Sequence, residues 1–188
     1  MTATIAPPEP LITAKTFLRD YGDAKGVELV KGKIVRLPMP GTRHGEVIVE
    51  AISIFREFVK PKKPGRLIAG DSFIRTLKNP DSYRGADVYF LSFKQWPKSR
   101  EVPASALEIP PELVVEVKSP SDRWGNIQIK IGEYLNAGVR VVIVLDPETE
   151  SASVHRQDEL HQLAHNGDVL TIPDVLPGFS VPVKRFFE

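Results

Sequence analysis

Glu116 and Lys118 stand two residues apart in Pro111-Glu-Leu-Val-Val-Glu-Val-Lys-Ser-Pro-Ser-Asp122, a run otherwise apolar enough for a buried strand. Strand side chains alternate, so Leu113, Val115 and Val117 share one face while Glu112, Val114, Glu116 and Lys118 share the other. A carboxylate and an ammonium are therefore expected to project together. Upstream, Asp87 in Arg84-Gly-Ala-Asp-Val-Tyr-Phe-Leu-Ser92 supplies a second acid. An aspartate followed, after a gap, by Glu-x-Lys is the order expected of metal-dependent phosphodiester hydrolysis. Carboxylate oxygens suit hard cations such as Mg²⁺ or Mn²⁺. A bound cation acidifies its water and polarises a phosphoryl oxygen, while a lysine orients the nucleophile or stabilises charge on the phosphate. An arbitrary Glu-x-Lys is more often a wet edge strand with two solvated charges, so the surrounding elements decide.

Arg140-Val-Val-Ile-Val-Leu-Asp146 is an unbroken apolar run, as expected of a strand covered on both faces. Between the two strands, Trp124 to Ala137 carries Ile127, Ile131, Tyr134 and Leu135 on one helical stripe, with Gly138 as its stop. Strand, helix and strand form a βαβ crossover with parallel strands, the first of them central. Lys130 lies on the margin of that stripe and can reach the C-terminal end of the Glu116 strand, where open α/β sheets place their sites. A strand begins near Ala86, with Asp87 at its start and Ala86, Val88 and Phe90 on the opposite face.

Further upstream, the pattern predicts a short helix over Thr13 to Asp20 and a hairpin in which Glu28-Leu-Val and Lys33 to Leu37 flank Lys31-Gly32. Glu28 reads there as a solvated hairpin carboxylate. A helix over Thr42 to Val59 has Ile48, Ile52, Phe55 and Val59 inward, and His44 on the same stripe, where a capped histidine with a local partner is the commoner case. Lys94 to Leu107 reads as an exposed connection. Ser151 to Arg156, Leu160 to His165 and Asp168 to Ile172 read as an antiparallel meander added to the sheet. His155, His161 and His165 match no strong zinc spacing and are expected at the surface.

These motifs together resemble the bacterial restriction endonuclease-like proteins of the PD-(D/E)XK nuclease superfamily. The likeness begins at Gly26-Val-Glu-Leu-Val-Lys-Gly-Lys-Ile-Val35 and continues through His44 and Ala-Asp-Val-Tyr-Phe. It is densest in Glu-Val-Lys-Ser-Pro-Ser-Asp, Lys130, Tyr134, Ala-Gly-Val139 and Leu-Asp-Pro147. The resemblance implies a restriction endonuclease-like α/β core: a mixed central sheet flanked by helices, with the crossover and added antiparallel hairpins. It implies metal ligation by Asp87 and Glu116, catalysis by Lys118 or Lys130, and auxiliary places for Glu28 and His44. The implied activity is Mg²⁺- or Mn²⁺-dependent endonucleolytic cleavage of DNA. Two positions depart from the pattern. Ala86 replaces the proline before the first acid, which removes no ligand, and Asn126 replaces an aspartate four residues before the helical lysine.

A chain of 188 residues, 41% apolar, can fill one sizeable core, so residues 1–10 are expected as a proline-rich flexible tail and 11–188 as one nuclease-like domain. No segment has the length and apolarity of a membrane span, and the absence of cysteine fits a cytoplasmic setting. The formal charge of +1 provides no global field for nucleic acid, so phosphate contacts must come from local groups such as Lys60 to Arg66, Arg75, Lys78 and Arg84. RNA or a small nucleotide stays open as substrate. So does a second class, a catalytically inactive nucleic-acid-binding or assembly module on the same fold. Ile129, on the outer side of the crossover helix, points to homodimerisation.

Overall fold

The computed structural model describes residues 10–188, so the tail expected over residues 1–10 lies almost wholly outside the described residues. The chain begins with α1 (Ala14–Tyr21), where the Thr13 side chain accepts the Thr16 N–H as an N-cap. The hairpin follows as β1 (Val27–Val30) and β2 (Lys33–Arg36), then α2 (Thr42–Lys62), β3 (Gly65–Lys78) and β4 (Asp81–Ser92). A two-residue strand, β5 (Ala106–Leu107), precedes β6 (Leu113–Val117), α3 (Trp124–Ala137) and β7 (Val141–Asp146). The chain ends with β8 (Ser151–His155), β9 (Gln162–Ala164), β10 (Val169–Thr171), β11 (Ser180–Pro182) and a 3₁₀ turn over Val183–Phe186.

Nine strands form a mixed sheet in the order β2-β1-β4-β6-β7-β8-β9, with β3 along the other edge of β4 and β5 beside β3. The predicted crossover is present: β6 and β7 are parallel neighbours joined through α3, and β6 is central, between β4 and β7. Gly138 stops α3 in a left-handed conformation (φ 106°), its N–H capping the carbonyls of Tyr134 and Leu135. The odd-numbered residues of β6 face α2, packing with Val47, Ala51, Ile54, Phe55 and Val59, while Val114 faces α3 with Ile131 and Tyr134. A third cluster ties α1 to β1 and β4 through Phe17, Leu29, Phe73 and Tyr83. Each such side chain contributes about 1.5–3 kcal/mol by leaving water, which fixes both helices against the sheet and with them the groups they carry.

Several boundaries differ from the sequence pattern. β4 starts at Asp81, so Asp87 sits in mid-strand, and β3 is a single 14-residue strand. Helix α2 runs through Lys62, with Pro61 in its last turn, so the basic stretch Lys60 to Arg66 begins helical and ends in β3. Its inward face is rotated by about one residue: Val47, Ala51 and Ile54 are buried beside Phe55 and Val59, whereas Ile48 and Ile52 are only half-buried. The expected connection over 94–107 is anchored, because Trp96 is buried and β5 pairs in parallel with β3. β10 does not continue the meander. It pairs with β11 as a separate ribbon, and this C-terminal segment covers α2, with Phe55 stacked on Phe179 at 4.8 Å. His155 is not a surface residue: it is buried on β8, which is held between β7 and β9.

Candidate metal centre at a fork in the sheet

β3 accompanies one edge of β4 for nearly its whole length, but the opposite edge changes partner. Tyr83 pairs with Leu29 of β1, and pairing resumes at Val88 with Val115 of β6. Between them, on that edge, the backbone of β4 has no strand to bond. Buried backbone groups need partners, and charged side chains supply them. Gly85 N–H donates to Glu28 Oε1 at 3.0 Å, and the Gly85 carbonyl accepts from Lys130 Nζ at 2.8 Å and from the Tyr134 hydroxyl at 3.3 Å. The site is thus built where the sheet divides.

Glu28 is 1% exposed, so the solvated hairpin carboxylate expected from the sequence is instead a core group. Its Oε2 accepts from Arg84 Nη1 at 2.7 Å, and Arg84 also reaches Glu133 of α3 at 2.6 Å. Glu116 projects toward α3, where Oε2 accepts from Lys130 at 2.9 Å and Oε1 from the Tyr134 hydroxyl at 2.8 Å. Lys130 also lies 3.4 Å from Glu28. Burial pushes the Glu116 carboxyl up to about 7; Asp87 adds to the rise while Lys130 and Tyr134 oppose it. Burial alone would lower the Lys130 pKa, but Glu116, Glu28 and Asp87 outweigh it and hold the ammonium above its ordinary value. Tyr134, raised by burial and then by Glu116, stays a neutral donor.

Asp87 completes the group from mid-β4. Its Oδ2 accepts the Val117 N–H at 2.7 Å, fastening the end of β6, and lies 3.5 Å from His44 Nε2 on α2. Burial works against protonation of His44, yet Asp87 more than compensates and its pKa is raised. Asp87, Glu116, Glu28, His44, Lys130 and Arg84 all line one cavity of about 830 Å³.

Lys118 is held differently from Lys130. β6 ends at Val117, one residue before Lys118, and Lys118 lines the same cavity as Glu116. Its N–H bonds the Leu145 carbonyl, and its ammonium is held by Asp146 at 3.3 Å and Glu148 at 2.9 Å, at the end of β7. The structure therefore brings Glu28, His44, Asp87, Glu116 and Lys130 together through direct contacts, while the Lys118 ammonium, in the same cavity lining, is engaged by Asp146 and Glu148. It also adds groups that the sequence reading passed over. Arg84, considered only as a phosphate contact, and Tyr134, considered only as a packing residue, bond the two glutamates. Asp71 of β3 is solvent-exposed but lines the same cavity, and partial desolvation followed by Asp87 raises its pKa.

The donor chemistry fits a hard divalent cation. Asp87 Oδ1 makes no hydrogen bond among the described residues, and two neighbouring acids that raise one another's energy are relieved by a positive ion. Among the described residues no three histidine, cysteine or acidic side chains converge as a ready-made cage. That is compatible with Mg²⁺, which keeps several waters and takes one or two carboxylates directly.

A nine-stranded mixed sheet with α2 and α3 on opposite faces and a carboxylate–lysine fork beside its crossover defines a class, the restriction endonuclease-like folds. One solved structure, described as a putative nuclease belonging to DUF820 from Anabaena variabilis ATCC 29413, superposes with a TM-score of 0.81 at 21% identity, covering 94% of this chain and 97% of that one. This likeness concerns the fold. The family described as "Uma2: Putative restriction endonuclease" matches residues 15–184, and the chain belongs to that family. No curated protein matches it.

Proposed function

We propose that the protein is a Mg²⁺- or Mn²⁺-dependent endonuclease that hydrolyses phosphodiester bonds in DNA. One observation carries this reading: Asp87, Glu116 and Lys130, from three separate elements, meet at the fork of the sheet and line one cavity. Family membership adds the reaction class. Asp87 and Glu116 would hold the cation, which supplies an acidified water and polarises the phosphoryl oxygen. Lys130, kept charged by its acidic neighbours, is the working lysine in this reading; it steadies negative charge that develops on the phosphate. Glu28 and Arg84 fix Lys130 and Gly85 in place, and His44, beside Asp87, is placed to hold a proton near the reacting centre. Lys118 clamps β6 to the end of β7.

DNA incubated with Mn²⁺ should be cut, and chelation should stop cutting. Glu116→Gln should lower the rate on the order of a hundredfold or more, since it removes a charged metal oxygen. Cleavage indifferent to both chelator and Glu116→Gln sinks the proposal. A second reading, a nucleic-acid-binding module without turnover, is favoured by one feature: both Glu116 oxygens are already bonded by Lys130 and Tyr134. It predicts DNA retained equally well in chelator, with no cleavage under any divalent ion.

A further inference from the structure

The longest ladder of the sheet is interrupted on the cavity wall. β3 pairs with β4 at Ala69↔Val88 and again at Ser72↔Ala86, so Gly70 and Asp71 together stand opposite Asp87 alone. Two residues against one is a β-bulge, a device that bends a strand and re-aims a side chain, often beside an active site. Both bulge residues are left-handed, with φ 95° at Gly70 and 55° at Asp71. Few side chains tolerate that conformation, and aspartate is among them. The bulge runs so close to β4 that a Cβ on Gly85 would lie 3.1 Å from the Asp71 carbonyl oxygen. Any larger residue there would require the bulge to give by a few tenths of an ångström.

The Asp71 carboxylate lines the same cavity as Asp87 and Glu116. Asp87 and Glu28 act on it as like charges, Lys130 and His44 as opposite ones, and no hydrogen bond is among its influences. Glu28 and Glu116, by contrast, are fully engaged by Arg84, Gly85, Lys130 and Tyr134. A second, independent observation comes from His44. Its side chain is only 9% exposed and lines this cavity, yet Nδ1 has no hydrogen-bond partner. A buried polar atom left so is destabilising, and a water from a ligand's hydration shell is the kind of partner that would relieve it.

We infer that Asp71 is a positioning residue that holds the hydrated divalent cation of this site through its waters, from the β3 wall of the cavity, while Asp87 and Glu116 bind it directly. The inference rests on the metal-dependent reading of the fork. Mg²⁺ and Mn²⁺ bound by two carboxylates keep several waters, and a further acid facing those waters raises affinity without direct ligation.

The test is a Mn²⁺ titration of the full chain, followed by electron paramagnetic resonance of free Mn²⁺ and by calorimetry, with melting temperature recorded in chelator. Asp71→Asn keeps the shape and the left-handed backbone and removes only the charge. It should weaken Mn²⁺ on the order of tenfold while the metal-free melting temperature holds or rises. Asp158→Asn, at another left-handed aspartate (φ 57°) outside the cavity lining, should leave both unchanged. Glu116→Gln should abolish binding. If Asp71→Asn binds as tightly as the parent while Glu116→Gln does not bind, Asp71 is idle and the fork reading survives. If the parent itself binds no Mn²⁺, both fall.

Discussion

Lys130 and Lys118 each meet two carboxylates, but the company around them differs. Lys130 joins four elements: it rises from α3 to Glu116 of β6, Glu28 of β1 and the Gly85 carbonyl of β4, beside the free oxygen of Asp87. Lys118 joins neighbouring strand ends only, with Asp146 buried and the side chain of Glu148 77% exposed. At the fork, charge substitutes for a missing strand partner and surrounds a cavity. At the margin of β7 and β8, charge closes a ladder that is already complete. Burial of ions is expensive in both places, yet of the two lysines only Lys130 also caps a main-chain carbonyl, that of Gly85.

The contrast is tested hardest by stability. Arg84→Met strands Glu28 and Glu133 without their shared cation, and breaking a buried pair in this way should lower the unfolding free energy by about 3–5 kcal/mol. Lys118→Met should lower it by only about 1–2 kcal/mol, because Asp146 keeps the Glu148 N–H and Glu148 faces water. Denaturant melts of the two variants settle the comparison, and equal losses would erase the distinction between fork and margin. Turnover gives the next largest contrast. Lys130→Met should reduce kcat by roughly 10²–10³, or about 2.7–4 kcal/mol of barrier, whereas Lys118→Met should leave kcat within about a factor of three, the signature of no lost transition-state contact. A Lys118→Met enzyme as crippled as Lys130→Met would return the catalytic role to the Glu-x-Lys lysine.

The legible parts of the molecule are those set by local pattern. The crossover was readable because α3 carries a helical apolar stripe and an explicit glycine stop, and β7 is apolar throughout. Asp87, Glu116 and Lys130 could be singled out because acids and a lysine inside apolar elements demand partners. The partners of Lys118 were not legible, because Asp146 and Glu148 reach it from the end of β7, an element that the local Glu-x-Lys pattern does not contain. Glu28 looked solvated because a hairpin read alone has a wet face, and its burial depends on β4 docking against β1, which no short window of sequence contains. Asp71 was invisible for the same reason. A bulge is a register difference between two strands, and its meaning came only when its partner turned out to be Asp87. The rotation of α2 by one residue likewise reflects which helix face the sheet and the C-terminal ribbon jointly cover.

The smallest expected effect sharpens the margin rather than the fork. His155 is buried on β8, its Nε2 within 2.9 Å of Ser153 Oγ and its ring stacked 5.2 Å from His161. Burial, with a lesser push from His161, lowers its pKa to about 4, whereas an imidazole in the unfolded chain titrates near 6.5. Between those values the unfolded chain binds a proton that the folded chain refuses, so unfolding free energy declines as pH drops from about 6.5 and levels off below about 4. Above pH 6.5 both states carry neutral imidazole and the contribution is constant. The loss across the window is about 1–3 kcal/mol. His155→Gln, which cannot titrate, should flatten that portion of a stability-versus-pH curve measured by denaturant melts while leaving the pH profile of kcat unaltered, because His155 lies outside the cavity lining. An unchanged stability slope would mean that the margin's histidine opens to water before it titrates. A shifted kcat profile would mean that fork and margin are coupled through β7, and the separation drawn between them would have to be abandoned.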